Sequence, residues 1–302
     1  MTKKYLIIGA GAIGVFYASK LSHVGDEIII WSRNDYEFIA KQGYQISSES
    51  KNYNFFPNLV IGNLDQLNQQ VDYIIVATKV LPSINIIDII QKVLAKNTTI
   101  IIIQNGIHLE NKFIEKFPYN QIISAIAFIG VCRQNINHII HQAFGKLIIG
   151  NCNKIDVESI NYFANSIKKS GIEVNISDNI LLERWKKLIW NGAFNPLSVI
   201  LGGKTTRQIL DNKLALDLVK NIMHEIKLLA KHDNCELPAD IIDTNISATQ
   251  SMTPYKTSML LDFEASRPME IEAIIGNAVK FAESKSLSIP YLSTIYAIIS
   301  NY

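Results

Sequence analysis

Cysteine is scarce in this chain of 302 residues: Cys132, Cys152 and Cys235 are the only three. They are too few and too far apart for a disulfide framework, and no Cys-x-x-Cys or His/Cys cluster has zinc spacing, so no metal site is expected. A surplus of one charge is missing too. Lys and Arg number 29 against 27 Asp and Glu, a net charge of +2, which offers neither a nucleic acid nor an anionic membrane an electrostatic footprint. Long apolar runs are likewise absent, since stretches such as Thr99–Ile103 and Ile122–Val131 fall short of the roughly 20 residues that cross a bilayer. Neither nucleic acid nor membrane is therefore expected as a partner, and a reducing cytoplasm is the simplest compartment.

What is present is apolar material. With 48% hydrophobic and 19% charged residues the chain can build a sizeable core, and at about 150 residues per domain its length suggests two domains. Lys3 and Lys4 followed by the apolar stretch Tyr5–Ala18 could be read as a secretory signal, but a second reading explains more. Tyr5–Ile8 is a short buried strand that runs into Gly9-Ala10-Gly11-Ala12-Ile13-Gly14, after which Phe16, Tyr17, Lys20 and Leu21 begin a helical pattern. In this G-x-G-x-x-G order Gly9 permits a tight turn, Gly11 lets a pyrophosphate approach the backbone, and Gly14 lets helix and strand pack closely. A second strand, Glu27–Trp31, stands where a βαβ dinucleotide fold needs it, and its end reads Trp31-Ser32-Arg33-Asn34. An Asp or Glu there would bind the 2′-hydroxyl of NAD, whereas Arg accommodates the 2′-phosphate of NADP, so Arg33 favours NADP(H). Asp35 comes after the expected position.

Apolar runs continue the alternation: Asp72–Ala77 and Thr99–Ile103 read as strands, with a helix over Pro82–Leu94 between them, which predicts a doubly wound parallel sheet. More β-like stretches follow at Ile122–Val131, His138–His141 and Lys146–Ile149, then a helix at Val157–Ser170 and a strand at Glu173–Asn175. From Asn179 the spacing is helical, over Ile180–Trp190, Ala215–His232, Ala239–Ser247 and Ile271–Ser284. The fold class is thus α/β: a Rossmann-type dinucleotide-binding domain, residues 1–177, and an all-helical domain, residues 178–302.

Thr78-Lys79 and Gln104-Asn105-Gly106 follow two of the strands, at the carboxyl ends where open α/β sheets bind ligands. Farther on, Lys187, Asn191 and Asn195 lie four residues apart and form a polar stripe among Trp185, Leu188, Ile189 and Phe194. Asn is a poor residue for a helix interior, so two in register with a Lys suggest a surface that orients a polar ligand beside an ammonium donor. Pro196 is expected to disturb that helix.

These motifs, with Trp185-x-Lys187-x3-Asn191-x3-Asn195-Pro196, Ser258 in Thr257-Ser258-Met259-Leu260-x-Asp262, and Glu270 after Arg267, together resemble the ketopantoate reductases (2-dehydropantoate 2-reductases). The resemblance implies NADPH-dependent reduction of ketopantoate, a small 2-keto acid, to pantoate on the route to coenzyme A. Lys187 would be the general acid; Asn105, Asn191, Asn195 and Ser258 would hold the substrate. The Gly9–Gly14 turn, Arg33 and again Asn105 would hold the cofactor, with Lys79 and Glu270 near its nicotinamide half, and a homodimer stands as the candidate assembly. Two departures set the chain apart. Gly202-Gly203-Lys204-Thr205-Thr206 replaces an Asn-Gly that the family often carries, and Asn135-Ile136-Asn137 replaces a glycine turn. A reductase of another branched 2-keto acid and a non-catalytic NADP(H)-sensing protein are the rival readings.

Overall fold

Unbroken Ile and Val runs form the centre of one sheet in the computed structural model, which describes residues 2–48, 51–153 and 156–302. Among these residues the strands are β1 (Lys4–Ile8), β2 (Glu27–Trp31), β3 (Tyr44–Ser48), β4 (Tyr53–Phe55), β5 (Leu59–Ile61), β6 (Tyr73–Val76), β7 (Thr99–Ile102), β8 (Ile122–Arg133), β9 (His138–Asn151) and β10 (Val174–Ile176). They lie in the order β4-β3-β9-β8-β7-β6-β1-β2-β5, with β10 on β9. Helices α1 (Ala12–His23), α2 (Tyr36–Gln42), α3 (Ile86–Gln91), α4 (Asn111–Lys116) and α5 (Val157–Lys169) complete this part.

Side chains alternate across the sheet with period two and meet a different core on each face. Tyr5, Ile7, Ile75 and Ile101 pack with Phe16 and Leu21 of α1 and Phe163 and Ile167 of α5. Leu6, Ile8, Ile74 and Ile100 pack with Ile86 and Ile90 of α3 and Phe113 of α4. Burial on both faces is why these strands read as continuous apolar runs.

The strands from β5 to β8 are mutually parallel, but the expected parallel sheet is in fact mixed. Strand β9 is antiparallel to β8, and β4 to β3. The two short strands expected at His138–His141 and Lys146–Ile149 are parts of β9. Phe144 (φ 63°) and Gly145 (φ 128°) take left-handed backbone without ending the strand, because a register shift in the β8–β9 ladder absorbs them as a bulge. The segment from β3 to β5 showed no apolar alternation long enough to mark strands.

The chain divides into two units. The sheet unit runs to Lys79 and includes Ile84–Gln104 and Leu109–Ile180; the helical unit comprises Val80–Ser83, Asn105–His108 and Leu181–Tyr302. The helices are α6 (Ile180–Ile200), α7 (Thr206–Leu210), α8 (Lys213–His232), α9 (Ile241–Ser251), α10 (Ser258–Glu264), a π-helical turn at Glu272–Gly276, α11 (Asn277–Ser284) and α12 (Pro290–Ile299). Their core joins Trp185, Leu188, Phe194 and Leu197 of α6 to Val219, Ile222, Met223 and Ile226 of α8. Pro196, expected to disturb α6, lies inside it, and the helix runs four residues further. Burial of Leu197, Ser198 and Val199 offsets the missing backbone donor. In the same unit the buried side chain of Glu225 accepts the backbone N–H groups of Tyr291 and Leu292 and so satisfies leading donors of α12.

Candidate functional site

The glycine turn after β1 has three differently constrained positions. Gly9 has φ 114°, and a Cβ there would lie 2.5 Å from the backbone of Ala77 and Thr78. A Cβ on Gly14 would stand 2.1 Å from the carbonyl oxygen of Gly9. At Gly11 a Cβ would meet nothing within 4 Å, so glycine here leaves open space in front of the backbone. Gly11 is the N-cap of α1, no described side chain caps it, and the first turn carries no acidic residue. The leading N–H groups and the positive helix end therefore fit a pyrophosphate. Ala10, Ala12 and Ile13 pack partly buried against the sheet core between these glycines.

Arg33 is exposed beyond Ser32 at the end of β2, while Asp35 is engaged by Arg133 of β8 at 2.7 Å. Where β6 and β7 end, Gln104 Nε2 donates to the carbonyl and hydroxyl oxygens of Thr78, which ties down the backbone next to the half-buried Lys79.

In the helical unit, Asn105–His108 departs from β7 and is bonded residue by residue to the helices. Lys187 Nζ donates to Asn105 Oδ1 at 2.7 Å, and Arg184 Nη1 to the carbonyl oxygen of Gly106 at 2.9 Å. Gly106 (φ 116°) approaches Ala273 so closely that a Cβ would come within 2.3 Å of its oxygen. The N–H of Ile107 bonds to that same oxygen, and its own carbonyl accepts from Asn277 Nδ2. His108 and the Trp185 indole N–H both bond Asp233 Oδ2, at 2.7 and 2.8 Å. The carbonyl that meets Ile107 thus belongs to the π-helical turn, a distortion that often marks functional positions.

Lys187 stands at the centre of this network. Although part of its side chain stays exposed, burial lowers its pKa to about 7, the Arg184 charge adds to the effect, and Glu270 opposes it. Glu270 itself accepts the backbone N–H of Val80 at 3.0 Å. One and two turns on, Asn191 is 9% and Asn195 1% exposed; the Oδ1 of Asn195 meets no hydrogen-bond donor among the described residues. From Asn195 a chain of bonds leads to α10. Its carbonyl accepts from Ser198 Oγ, which pairs with Thr257 Oγ1 at 2.7 Å, and Thr257 caps the helix that opens with the exposed Ser258.

The predicted residues thus fall into two sets. Gly9–Gly14, Arg33 and Lys79 lie in the sheet unit, and Asn105, Lys187, Asn191, Asn195, Ser258 and Glu270 in the helical unit. Arg184, Arg133, Val80 and Asp233 were missed. Only Arg184 left a trace, three residues before Lys187 and so on the same side of α6. Among the described residues no group of His, Cys, Asp or Glu could hold a metal ion, and no helix is long and apolar enough to cross a membrane.

Comparison with known proteins matches this arrangement to one family. The profile of ketopantoate reductase PanE/ApbA matches residues 5–154, and that of the ketopantoate reductase PanE/ApbA C terminal matches residues 179–302. A 2-dehydropantoate 2-reductase of Nostoc sp. is 28% identical over 97% of this chain and 93% of its own. The crystal structure of 2-dehydropantoate 2-reductase from Methylococcus capsulatus is 38% identical, with a TM-score of 0.92 over 98% of this chain and 96% of that one. A ternary structure of D-mandelate dehydrogenase with NADH and anilino(oxo)acetate shares the fold at 23% identity, with a TM-score of 0.90 over 99% and 97%. With both halves matched in order and a solved relative aligned along nearly the whole length, the chain belongs to the ketopantoate reductase PanE/ApbA family, a family of oxidoreductases.

Proposed function

We propose that this protein reduces ketopantoate to pantoate with NADPH, residues 1–177 supplying the cofactor half and 178–302 the acid. The observation that carries the reading is Lys187, an amine with its pKa lowered to about 7 and its Nζ held by Asn105. Reduction of a keto group needs a hydride at carbon and a proton at oxygen. When bound, the reduced nicotinamide supplies the hydride. Lys187 places an ammonium N–H at the oxygen where negative charge develops, and gives up its proton as the alkoxide forms. The resulting neutral amine is stable near pH 7 and regains a proton from solvent. An ordinary Lys, with a pKa of 10.5, would be a far weaker acid.

The remaining roles follow the chemistry of each group. The glycine turn holds the pyrophosphate, Arg33 the 2′-phosphate, and Lys79 and Glu270 the nicotinamide half. Asn105, Asn191, Asn195 and Ser258 hold the carboxylate and hydroxyl of the keto acid, and the buried Asn195 Oδ1, which meets no donor among the described residues, suits a substrate hydroxyl as donor. Conversion is tested by NADPH oxidation with ketopantoate: wild type should turn over, and Lys187→Ala should lose roughly 10²- to 10⁴-fold in kcat/KM. No turnover by wild type, or an undiminished rate in the variant, overturns the reading.

Another branched 2-keto acid is the second reading, and one observation favours it. Where relatives often carry Asn-Gly, Gly202 (φ 82°) and Gly203 (φ 76°) form a turn, and Thr205 is used up in a capping box with Gln208. That turn offers substrate no amide side chain. Ratios of kcat/KM over a panel of keto acids separate the two readings.

A further inference from the structure

Arg133, the last residue of β8, spends its guanidinium on three loops of the sheet unit. Nη1 donates to the carbonyl oxygen of Ala10, inside the glycine turn, at 3.3 Å, and Nη2 to Asp35 Oδ2 at 2.7 Å. Nε and Nη2 also donate to the carbonyls of Asn135 and Ile136, in the turn between β8 and β9. That turn is pinned in turn: Asn135 Oδ1 accepts the N–H groups of Asn137 and His138, and Asn137 Nδ2 bonds the carbonyl of Gly43. The pair stands near the buried Tyr44 and keeps about a quarter of each side chain exposed, 28% for both, so its hold on Asp35 comes from the fork of directed hydrogen bonds as much as from charge.

Asp35 is two residues beyond Arg33, on the loop that follows β2. A carboxylate in this region serves NAD by accepting the ribose 2′-hydroxyl and opposes NADP by repelling its 2′-phosphate. The loop therefore holds one group suited to each cofactor, and the structure gives the acidic one to Arg133. We propose that Arg133 is a specificity-determining positioning residue: by neutralising Asp35 and binding it to the glycine turn, it leaves the loop's cofactor preference to Arg33. The inference rests on the reading that the cofactor is NADPH with its 2′-phosphate at Arg33.

The test is direct titration of NADPH and NADH, each followed by its own fluorescence, with the intact protein at one low salt concentration. Wild type and the variants Arg133→Leu, Arg133→Lys, Asp35→Asn and the double variant Arg133→Leu/Asp35→Asn are compared. Arg133→Leu should lower the NADPH:NADH preference at least tenfold, and the double variant should recover most of it, since the released charge is then gone. Arg133→Lys, which keeps the charge but loses the fork of hydrogen bonds, should retain most of the preference, and Asp35→Asn alone should leave it near wild type. These last two keep the test decisive if Arg133→Leu does not fold. A wild-type preference in folded Arg133→Leu, no recovery in the double variant, or loss in Arg133→Lys overturns the proposal while the NADPH reading stands. A wild-type protein that does not prefer NADPH overturns both, and shows it before any variant is made.

Discussion

An ammonium group surrounded by protein destabilises the fold unless it is neutralised or paired, and Lys187 meets this cost by titrating near pH 7 in place of 10.5. Two outcomes follow from the sign of that shift. The acid must be protonated to act, so kcat/KM for keto-acid reduction should fall as pH rises through about 7, approaching tenfold per pH unit; a profile flat up to pH 9 would rule out Lys187 as the acid. Stability moves the other way. Below pH 7 the folded state bears the full cost of the charge, and between about 7 and 10.5 the cost fades because the folded amine is neutral while the unfolded one is still charged. Lys187→Met should therefore abolish activity yet raise stability, by about 1–3 kcal/mol near neutrality, with the gap narrowing in chemical denaturation at higher pH. The sequence exposed Lys187 through its four-residue spacing with Asn191 and Asn195. It did not expose Arg184, because Glu183, Arg184, Lys186 and Lys187 look alike as a charged run. Only folding sorts them: Glu183 and Lys186 pair with each other at 2.7 Å, while Arg184 is 3% exposed and bonds Gly106.

Elements differ in how plainly their sequences announce them, and the strand–turn–helix at the amino end is the plainest. Its glycines make separable predictions. Gly14→Ala drives a Cβ to 2.1 Å from the Gly9 oxygen and should lower stability by about 1–3 kcal/mol. Gly11→Ala meets no atom and should keep the wild-type melting temperature, but weaken dinucleotide binding more than tenfold by filling the space a pyrophosphate needs; unchanged affinity would argue against that site. The strands β1, β6 and β7 were equally legible, since burial on both faces requires unbroken apolar runs. Strands β3 to β5 were not: three to five residues with polar alternates carry too little periodicity, and they are fixed by pairing, β3 with β9 and β5 with β2. The π-helical turn was hidden for a similar reason. Glu272–Gly276 keeps a helical apolar pattern, and its extra residue per turn is set by contacts with Asn105–His108, remote in sequence.

For the whole molecule, a net charge of +2 leaves ligand affinity to a few placed groups, so binding should register as stability that depends on ligand identity. At a concentration about a hundred times its Kd, a dinucleotide adds about 2.7 kcal/mol, or about 5 °C in melting temperature for a chain of this size. NADPH should reach that shift at a lower concentration than NADH, as thermal denaturation with each would measure. The order in which the ribosome makes the chain adds a further constraint. Ile107 is fully buried in the helical core, and the carbonyl of Gly106 bonds Arg184, yet these residues are synthesised well before the helices they complete. During translation Asn105–His108 must wait for its partners, and the helices, once made, must close around a segment already fixed at the end of β7. A fragment starting at residue 178 would lack that segment and should not reach the native helical core on its own. The two units are thus separate as compact bodies but not as products of synthesis, and dividing the gene at residue 178 would divide one of them.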